Sequence, residues 1–142
     1  MTDPSPIVTE RTIDAAPVMV WRAISDGDVM PRWFFEPIEE FRPEVGFETR
    51  FTISVAKQDF VHVWRVTEAE PERRLSYTYD FAGYDGHALV TWELEPAGAA
   101  TRVTVTHRGL HTFPSHVDAF SREACAGGWV YFLDRLQAHL EG

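Results

Sequence analysis

The sequence predicts an α+β fold, in which a curved antiparallel β-sheet wraps around one long C-terminal helix. Three observations indicate this class. Apolar side chains recur with a period of two from residue 38 to about residue 108, turn-forming stretches separate the alternating segments, and a helical period follows Pro114. Short connections favour antiparallel neighbours, because parallel strands need a long crossover. The long helix is the only predicted element large enough to cover the apolar face of such a sheet.

The beginning of the chain predicts one strand followed by a helix. Residues 1–6 are expected to form a loose polar leader, and residues 7–13 (IVTERTI) alternate as a half-buried strand does. Asp14 is a candidate N-cap, and Pro17 suits a first helical turn, where its missing N–H is not needed. The buried face of this helix would consist of Val20, Ala23 and Ile24.

A second short helix is expected directly after the first. Gly27 is the predicted end of the first helix and Asp28 the predicted N-cap of the second. The second helix would carry Met30 and Trp33. Both helices would therefore lie between the first strand and the rest of the sheet in sequence.

Five segments with alternating hydrophobicity predict the remaining strands. Side chains at alternate positions of a strand share one face, so each segment offers one apolar set to the interior. The connecting stretches EAEPER, FAGYDGH and EPAGAAT have turn chemistry. The inward sets are Phe51, Ile53 and Val55; His62, Trp64 and Val66; Leu75, Tyr77 and Tyr79; Val90, Trp92 and Leu94; Val103, Val105 and His107.

The last helix is expected to begin after Pro114, with Ser115 as its N-cap. Two apolar stripes follow, and their change of phase falls at Gly127-Gly128. Each glycine inside a helix costs about 1 kcal/mol relative to alanine, so we expect the pair to mark a kink or a close approach to the sheet. The stripes are Val117, Phe120 and Ala124, and then Trp129, Phe132, Leu133, Leu136 and Leu140.

Composition disfavours several classes of partner. The chain of 142 residues suits one domain spanning 1–142, and its net charge of −9 disfavours nucleic acid and anionic membranes, which bind basic faces. No apolar run approaches the ~20 residues of a membrane helix, and no signal-peptide pattern opens the sequence. Because Cys125 is the only cysteine, no internal disulfide can form, and we expect a cytoplasmic location.

No standard catalytic or cofactor motif occurs in the sequence, so we expect no cofactor. His107, His111 and His116 lie close together in the chain and are the strongest candidates for metal ligands. Their spacing matches no known helical or hairpin site, and Gly109 and Pro114 interrupt it. The sequence therefore predicts no metal site.

Four stretches resemble bacterial stand-alone relatives of the C-terminal domain of the heat-shock-protein-90 ATPase activator, within the START-like (SRPBCC) superfamily. They cover most of the chain: APVMVWRAISDGDVMPRWF, FRPEVGFETRF, EAEPERRLSYTY with VTWELEPAGAATRVTVTHRGL, and GGWVYFLDRLQAHLEG. One departure is the turn RPEVGF, where family members often have two glycines after RP. The resemblance implies a single START-like domain with the helix-grip fold. The superfamily includes lipid carriers, hormone receptors, polyketide cyclases and oxygenase subunits, so the fold alone leaves the function open.

The candidate site is an internal cavity between the sheet and the C-terminal helix. Tryptophan and tyrosine side chains, each with one polar tip, are typical of small-molecule pockets, although the same residues also form ordinary cores. His62 and His107 share strand faces with apolar residues, and they would either bond to nearby protein groups or anchor a ligand oxygen. The predicted ligand-binding residues are Trp33 (at the pocket mouth), His62, Trp64, Tyr77, Tyr79, Trp92, His107, Phe120 and Gly128.

Other residues near this site have structural interpretations. We expect Trp21 and Phe34 to pack in the core, and Arg32 to be a solvated surface charge. Trp129 begins a regular apolar stripe, which indicates packing of the helix against the sheet.

The preferred function is binding of a small, largely apolar molecule, either lipid-like or aromatic and polyketide-like. The alternative is an enzyme of the cyclase or hydrolase kind, with His62, His107 or Tyr79 as acid or base. Binding is preferred because no constellation supplies a nucleophile, a base and an orienting group together. A chaperone-interaction module is a weaker third interpretation, because the eukaryotic activator also uses an N-terminal domain that this sequence lacks. A homodimer stays open as the state of assembly.

Overall fold

The computed structural model describes residues 4–142, so residues 1–3 of the predicted leader lie outside the described residues. The backbone carbonyls of Ser5 and Pro6 accept hydrogen bonds from the Arg122 guanidinium, at 2.6 and 3.1 Å. The helices and strands are β1 (Ile7–Ile13), α1 (Pro17–Ser25), β2 (Glu48–Val55), β3 (Gln58–Glu70), β4 (Arg74–Thr78), β5 (Asp80–Phe81), β6 (Leu89–Ala97), β7 (Ala100–Arg108) and α2 (Arg122–Glu141). Short 3₁₀ turns occur at Met30–Arg32, Leu110–Thr112 and Asp118–Phe120.

The strands form one antiparallel sheet in the order β1-β7-β6-β4-β3-β2, and the short β5 pairs with β3. The first strand pairs with the last, β1 and β2 are the two edges of the sheet, and the sheet curls around α2. This arrangement confirms the predicted α+β class and the helix-grip fold. Arg11 on β1 reaches Asp134 and Gln137 of α2 at 2.8 and 2.9 Å, and so helps to hold the helix against the sheet.

The predicted alternation of buried residues is confirmed in four of the inward sets, from His62 on β3 to His107 on β7, whose members are all buried. It weakens along β2. Phe51 is buried, Ile53 is half-buried and Val55 is 48% exposed. Ile53 and Val55 line a cavity between the sheet and α2, so fewer side chains cover them.

The predicted caps of the first two helices are wrong. Ala16 is the N-cap of α1, with no side-chain hydrogen bond, although Pro17 does occupy the first turn. Asp14 lies too early to cap, and its backbone N–H instead donates to the Glu141 carboxylate at 2.9 Å. The second helix is only the 3₁₀ turn Met30–Arg32, and Asp28 does not cap it.

Gly27 does not close α1, which ends at Ser25 with Asp26 as its C-cap. The reason for a glycine at this position is a close approach of the backbone. A Cβ atom on Gly27 would lie 2.6 Å from the backbone nitrogen of Phe41. The segment after the helix can therefore pack against the chain near residue 41 only without a side chain here.

The predicted start of the C-terminal helix is also wrong. α2 begins at Arg122, and Ser121 is its N-cap, whose hydroxyl accepts a hydrogen bond from the Ala124 N–H at 3.1 Å. Val117 and Phe120 are buried from the preceding turns and not from a helix. Their spacing of three residues misled the prediction, because it fits a 3₁₀ turn as well as an α-helix.

The expected close approach at the glycine pair is absent. α2 continues without interruption through Gly127 and Gly128, and a Cβ atom on either would meet no atom within 4 Å outside the helix backbone. The phase change that motivated the expectation disappears, because most of the first apolar stripe precedes the helix. The buried residues of α2 are Trp129, Leu133 and Leu136, all from the second stripe.

Candidate ligand cavity

A cavity of about 300 Å³ lies between α2 and one end of the curved sheet. Strands β2, β3 and β7 and the segment at β5 supply one wall, and α2 supplies the opposite wall. The segment between β7 and α2 closes the end of the cavity with Leu110, Ala119 and Phe120. The volume falls at the lower end of the range typical for small-molecule sites.

The helix wall consists of residues on one face of α2. Residues three and four apart in a helix lie on the same side, and the five lining residues of α2 have this spacing. Gly128 is the middle member of the set and contributes no side chain, which leaves room beside the sheet. The set is Ala124, Cys125, Gly128, Trp129 and Phe132.

The cavity opens between the end of β2 and the start of α2. Two lining residues, Val55 and Ala124, are exposed to solvent, whereas the strand residues farther inside are buried. Phe60, His62 and His107 are each at most 5% exposed. A ligand would therefore enter past Val55 and reach the histidines at the inner end.

His107 on β7 is fixed by α2. Its Nδ1 atom accepts a hydrogen bond from the indole N–H of Trp129 at 3.0 Å. The indole nitrogen can only donate, so Nδ1 is unprotonated and the neutral ring has its hydrogen on Nε2. Burial lowers the pKa of His107 to about 4, so the ring is neutral at pH 7.

His62 on β3 has the opposite tautomer. Its Nδ1 atom donates to the backbone carbonyl of Phe60 at 3.3 Å, which leaves Nε2 as an acceptor in the neutral ring. The ring stacks on Phe51 with centroids 4.7 Å apart. Burial lowers the pKa of His62 to about 4, and the bond to Phe60 opposes this shift only in part.

Tyr79 and Cys125 complete the polar groups of the lining. Within residues 4–142, the Tyr79 hydroxyl makes no hydrogen bond, and burial, followed by the nearby Tyr77, raises its pKa well above 10. The Cys125 thiol lies 3.7 Å from the carbonyl of Ala119, and burial raises its pKa to about 11. A thiol with this pKa stays protonated at pH 7 and is a poor nucleophile.

The lining contains no Asp, Glu, Lys or Arg. Nowhere in the described part of the chain do three or more His, Cys, Asp or Glu side chains lie close enough to hold a metal ion. The cavity therefore offers hydrogen-bonding groups and apolar contacts, without a fixed charge. Such a lining suits an uncharged ligand, since an ion is costly to bury without a group of opposite charge beside it.

The structure brings five of the predicted ligand-binding residues together around the cavity. His62, Tyr79, His107, Phe120 and Gly128 all line it, although Phe120 does so from a 3₁₀ turn and not from a helix. Their contact with a ligand stays a prediction.

The other four predicted ligand-binding residues lie in the packed core and do not line the cavity: Trp33, Trp64, Tyr77 and Trp92. Trp33 is 1% exposed and donates to the carbonyl of Ala23 at 2.8 Å, so it is not at a pocket mouth. Trp92 donates to the Tyr77 hydroxyl at 3.0 Å. Trp64 stacks on Tyr77 with centroids 4.7 Å apart, and its buried indole N–H has no partner among the described residues.

The residues with structural interpretations behave largely as expected. Phe34 is buried and stacks on Trp33 at 4.7 Å, Trp21 packs against the core, and Arg32 is exposed. Trp129 packs between helix and sheet, and it also lines the cavity, which its helical stripe does not reveal.

Sequence reasoning missed several wall residues. Phe60 lies two positions before His62 on the same strand face, so parity could have found it. Cys125 and Phe132 follow from the helical spacing around Gly128. Leu110 and Ala119 have no such signal, because they belong to irregular segments.

No helix in the described range 4–142 has the length and apolar character needed to cross a membrane.

Comparison with known proteins identifies the family. The model of the family "Activator of Hsp90 ATPase homolog 1-like protein" matches residues 14–141. No curated protein matches the chain. A crystal structure of a Chromobacterium violaceum protein is similar over 99% of both chains, with 24% identity and a TM-score of 0.81.

Two further solved structures share the fold. DynU16, a protein in the dynemicin biosynthetic locus, is 23% identical with a TM-score of 0.74, over 99% of this chain and 48% of its own. The Aha1 dimer from Colwellia psychrerythraea is 18% identical with a TM-score of 0.66, over 96% of both chains. Because the family model spans nearly the whole chain, this protein belongs to the family of Activator of Hsp90 ATPase homolog 1-like proteins.

Proposed function

We propose that this protein binds a small, largely apolar molecule, lipid-like or aromatic and polyketide-like, in the cavity between α2 and the sheet. The observation that carries the proposal is the cavity itself, about 300 Å³ with mostly aromatic and aliphatic walls. Apolar walls favour an apolar ligand, because binding removes the apolar surface of both from water. The presence of a similar protein in the dynemicin biosynthetic locus supports a natural-product ligand.

Acid-base catalysis is less well supported by the same geometry. A histidine with a pKa of about 4 is a weak base at pH 7, and both cavity histidines have this value. The cavity lining also provides no carboxylate that could orient either ring. Binding without turnover is therefore the function that the site supports best.

The proposal is tested by native mass spectrometry of freshly purified protein, followed by thermal-shift measurements with fatty acids, flavonoid-like polyphenols and polyketide-like compounds. We expect a co-purified molecule or a saturable shift. Gly128→Leu should abolish this binding, because the new side chain extends from the cavity-facing side of α2.

Gly127→Leu is the matched control. Gly127 is exposed and does not line the cavity, so its leucine variant should bind as the parent does. Absence of any saturable binding across the panel would contradict the proposed function. Equal loss of binding in both leucine variants would contradict the proposed location of the binding site.

We also propose that the protein is a homodimer, on the support of the Colwellia psychrerythraea structure, which is described as a dimer. Sedimentation equilibrium over a range of protein concentrations tests this, with a monomer mass at all concentrations as the contrary result.

A further inference from the structure

His107, a residue of the cavity lining, has a buried nitrogen atom that no protein group in the described part of the chain satisfies. His107 is 3% exposed, its Nδ1 atom is occupied by Trp129, and its Nε2 atom has no hydrogen-bond partner among residues 4–142. Since Nδ1 is the acceptor, Nε2 bears the hydrogen. A residue of the cavity lining thus has a buried N–H donor that is unpaired within the described range.

Such a group needs an explanation. The large majority of buried polar side-chain atoms have a partner, and leaving one unpaired is destabilising. Phenylalanine in place of His107 would remove the unpaired donor, but it would also remove the acceptor of the Trp129 N–H. The ring instead presents a donor whose orientation the bond from Trp129 fixes. A donor held in this way is suited to an acceptor that arrives from outside.

We propose that the ligand carries an uncharged carbonyl oxygen and that the Nε2–H group of His107 donates a hydrogen bond to it. This inference rests on the proposed function and specifies its ligand class: a flat aromatic molecule with a ketone-type or quinone-type oxygen at one end. The aromatic part would lie among Phe60, Phe81 and Phe132. Tyr79 also lines the cavity beside His107, with ring centroids 5.2 Å apart, and its hydroxyl would be a second donor for a ligand oxygen.

The walls also select against charge. A carboxylate or an ammonium group would lose its hydration on entry, and the lining includes no side chain of opposite charge. Both histidines stay neutral at pH 7, so neither provides a cation for a carboxylate. Ionised fatty acids are therefore poorer ligands of this site than neutral ketones.

Three compounds of similar shape test the proposal: 2-acetylnaphthalene, 2-isopropenylnaphthalene and 2-naphthoate. The second replaces the carbonyl oxygen by a methylene group, and the third replaces the ketone by a carboxylate. Equilibrium dialysis against the full chain at pH 7.5 gives the three affinities. We expect the ketone to bind at least about fivefold more tightly than the alkene, since it satisfies a buried donor, and the carboxylate to bind least.

Two variants of His107 test whether the preference for the ketone depends on its Nε2 atom. The amide of His107→Asn reaches about the position of Nδ1 and can accept from Trp129, but it offers nothing at Nε2. The longer amide of His107→Gln reaches about the position of Nε2 and can donate there. We expect the preference for the ketone over the alkene to disappear in the Asn variant and to persist in the Gln variant.

A spectroscopic measurement on the parent protein avoids any dependence on variant folding. Long-range ¹H–¹⁵N spectra of the histidine rings should show the Nε2 resonance of His107 moving with the ketone and not with the alkene. Equal affinities of the ketone and the alkene, or a ketone preference that survives in His107→Asn, would overturn the inference while leaving the binding function intact. Failure of all three compounds to bind would count against the binding function itself.

Discussion

The indole N–H of Trp129 on α2 donates to Nδ1 of His107 on β7 at 3.0 Å, and this bond joins the long helix to the sheet at the inner end of the cavity. The two residues are 22 positions apart in the chain and belong to different elements. The bond determines which histidine nitrogen bears the hydrogen. It therefore couples the placement of the helix to the chemistry that the cavity presents.

Trp129→Phe should destabilise the protein by about 1–3 kcal/mol, because the buried Nδ1 atom of His107 loses its donor. Urea denaturation measures the free energy of unfolding, and long-range ¹H–¹⁵N spectra should show a mixture of His107 tautomers. Trp21→Phe is the control, because Trp21 only packs against the core edge. A single unchanged tautomer in Trp129→Phe would contradict the role assigned to this bond.

Stability should fall as the pH drops from about 6.5 to about 4. His62 and His107 have a pKa of about 4 in the folded protein and an ordinary value of 6.5 when unfolded, so the unfolded chain binds more protons in this range. The stability from each neutral ring is fully present above pH 6.5, and each contributes about 3 kcal/mol that is lost by pH 4. Urea denaturation at several pH values measures this slope.

His107→Asn should reduce the slope of stability against pH between pH 6.5 and 5, because one of the two buried rings is gone. The same kind of change at the exposed His139 on α2 is the matched control and should leave the slope as in the parent. A parent protein whose stability is constant between pH 6.5 and 5 would refute the prediction for both histidines.

The two glycines give the same prediction for stability, but only Gly128 gives a predicted effect on binding. Gly127→Ala and Gly128→Ala should each raise the free energy of unfolding by about 1 kcal/mol, because neither methyl group meets an atom within 4 Å and alanine favours the helix. Only Gly128 lines the cavity. Its methyl group should weaken a ligand that fills the cavity by roughly fivefold or more.

Calorimetry and equilibrium dialysis on the two alanine variants check this pair of effects. Destabilisation by either substitution would support the close approach of the helix to the sheet that the sequence predicted. Equal effects on binding would show that Gly128 does not face the ligand.

Trp33→Phe should lower the free energy of unfolding by about 2 kcal/mol without changing ligand affinity. The substitution removes the bond to the Ala23 carbonyl and leaves unfilled volume in the core, but Trp33 is not in the cavity wall. Phe60→Leu, within the wall, should instead weaken binding. Thermal denaturation measures the effect on stability, and equilibrium dialysis measures the effect on affinity. A fully folded Trp33→Phe variant with reduced ligand affinity would show that Trp33 belongs to the binding site.

Much of the fold could be predicted because strand periodicity is a local signal. Alternation placed the inner residues of β3, β4, β6 and β7 correctly, since a residue's face in a strand depends only on its parity. Helix ends were less predictable. Asp14, Asp28 and Ser115 all have capping chemistry, but none of them caps the helix for which it was predicted. The N-cap of α2 is Ser121 instead. Many residues can cap, and packing selects which one does.

The sequence by itself determined the composition of the interior: which side chains face inward, that they are rich in aromatic rings, and that two histidines are among them. Only the tertiary structure decided which inward residues border the cavity. His62 and Trp64 lie on the same strand face, but His62 lines the cavity while Trp64 is in the solid core. The parity of a residue determines which face of the strand its side chain is on. Whether that side chain borders a cavity depends on which residues of α2 and of the segment before it lie opposite. Those contacts join residues that are far apart in the chain.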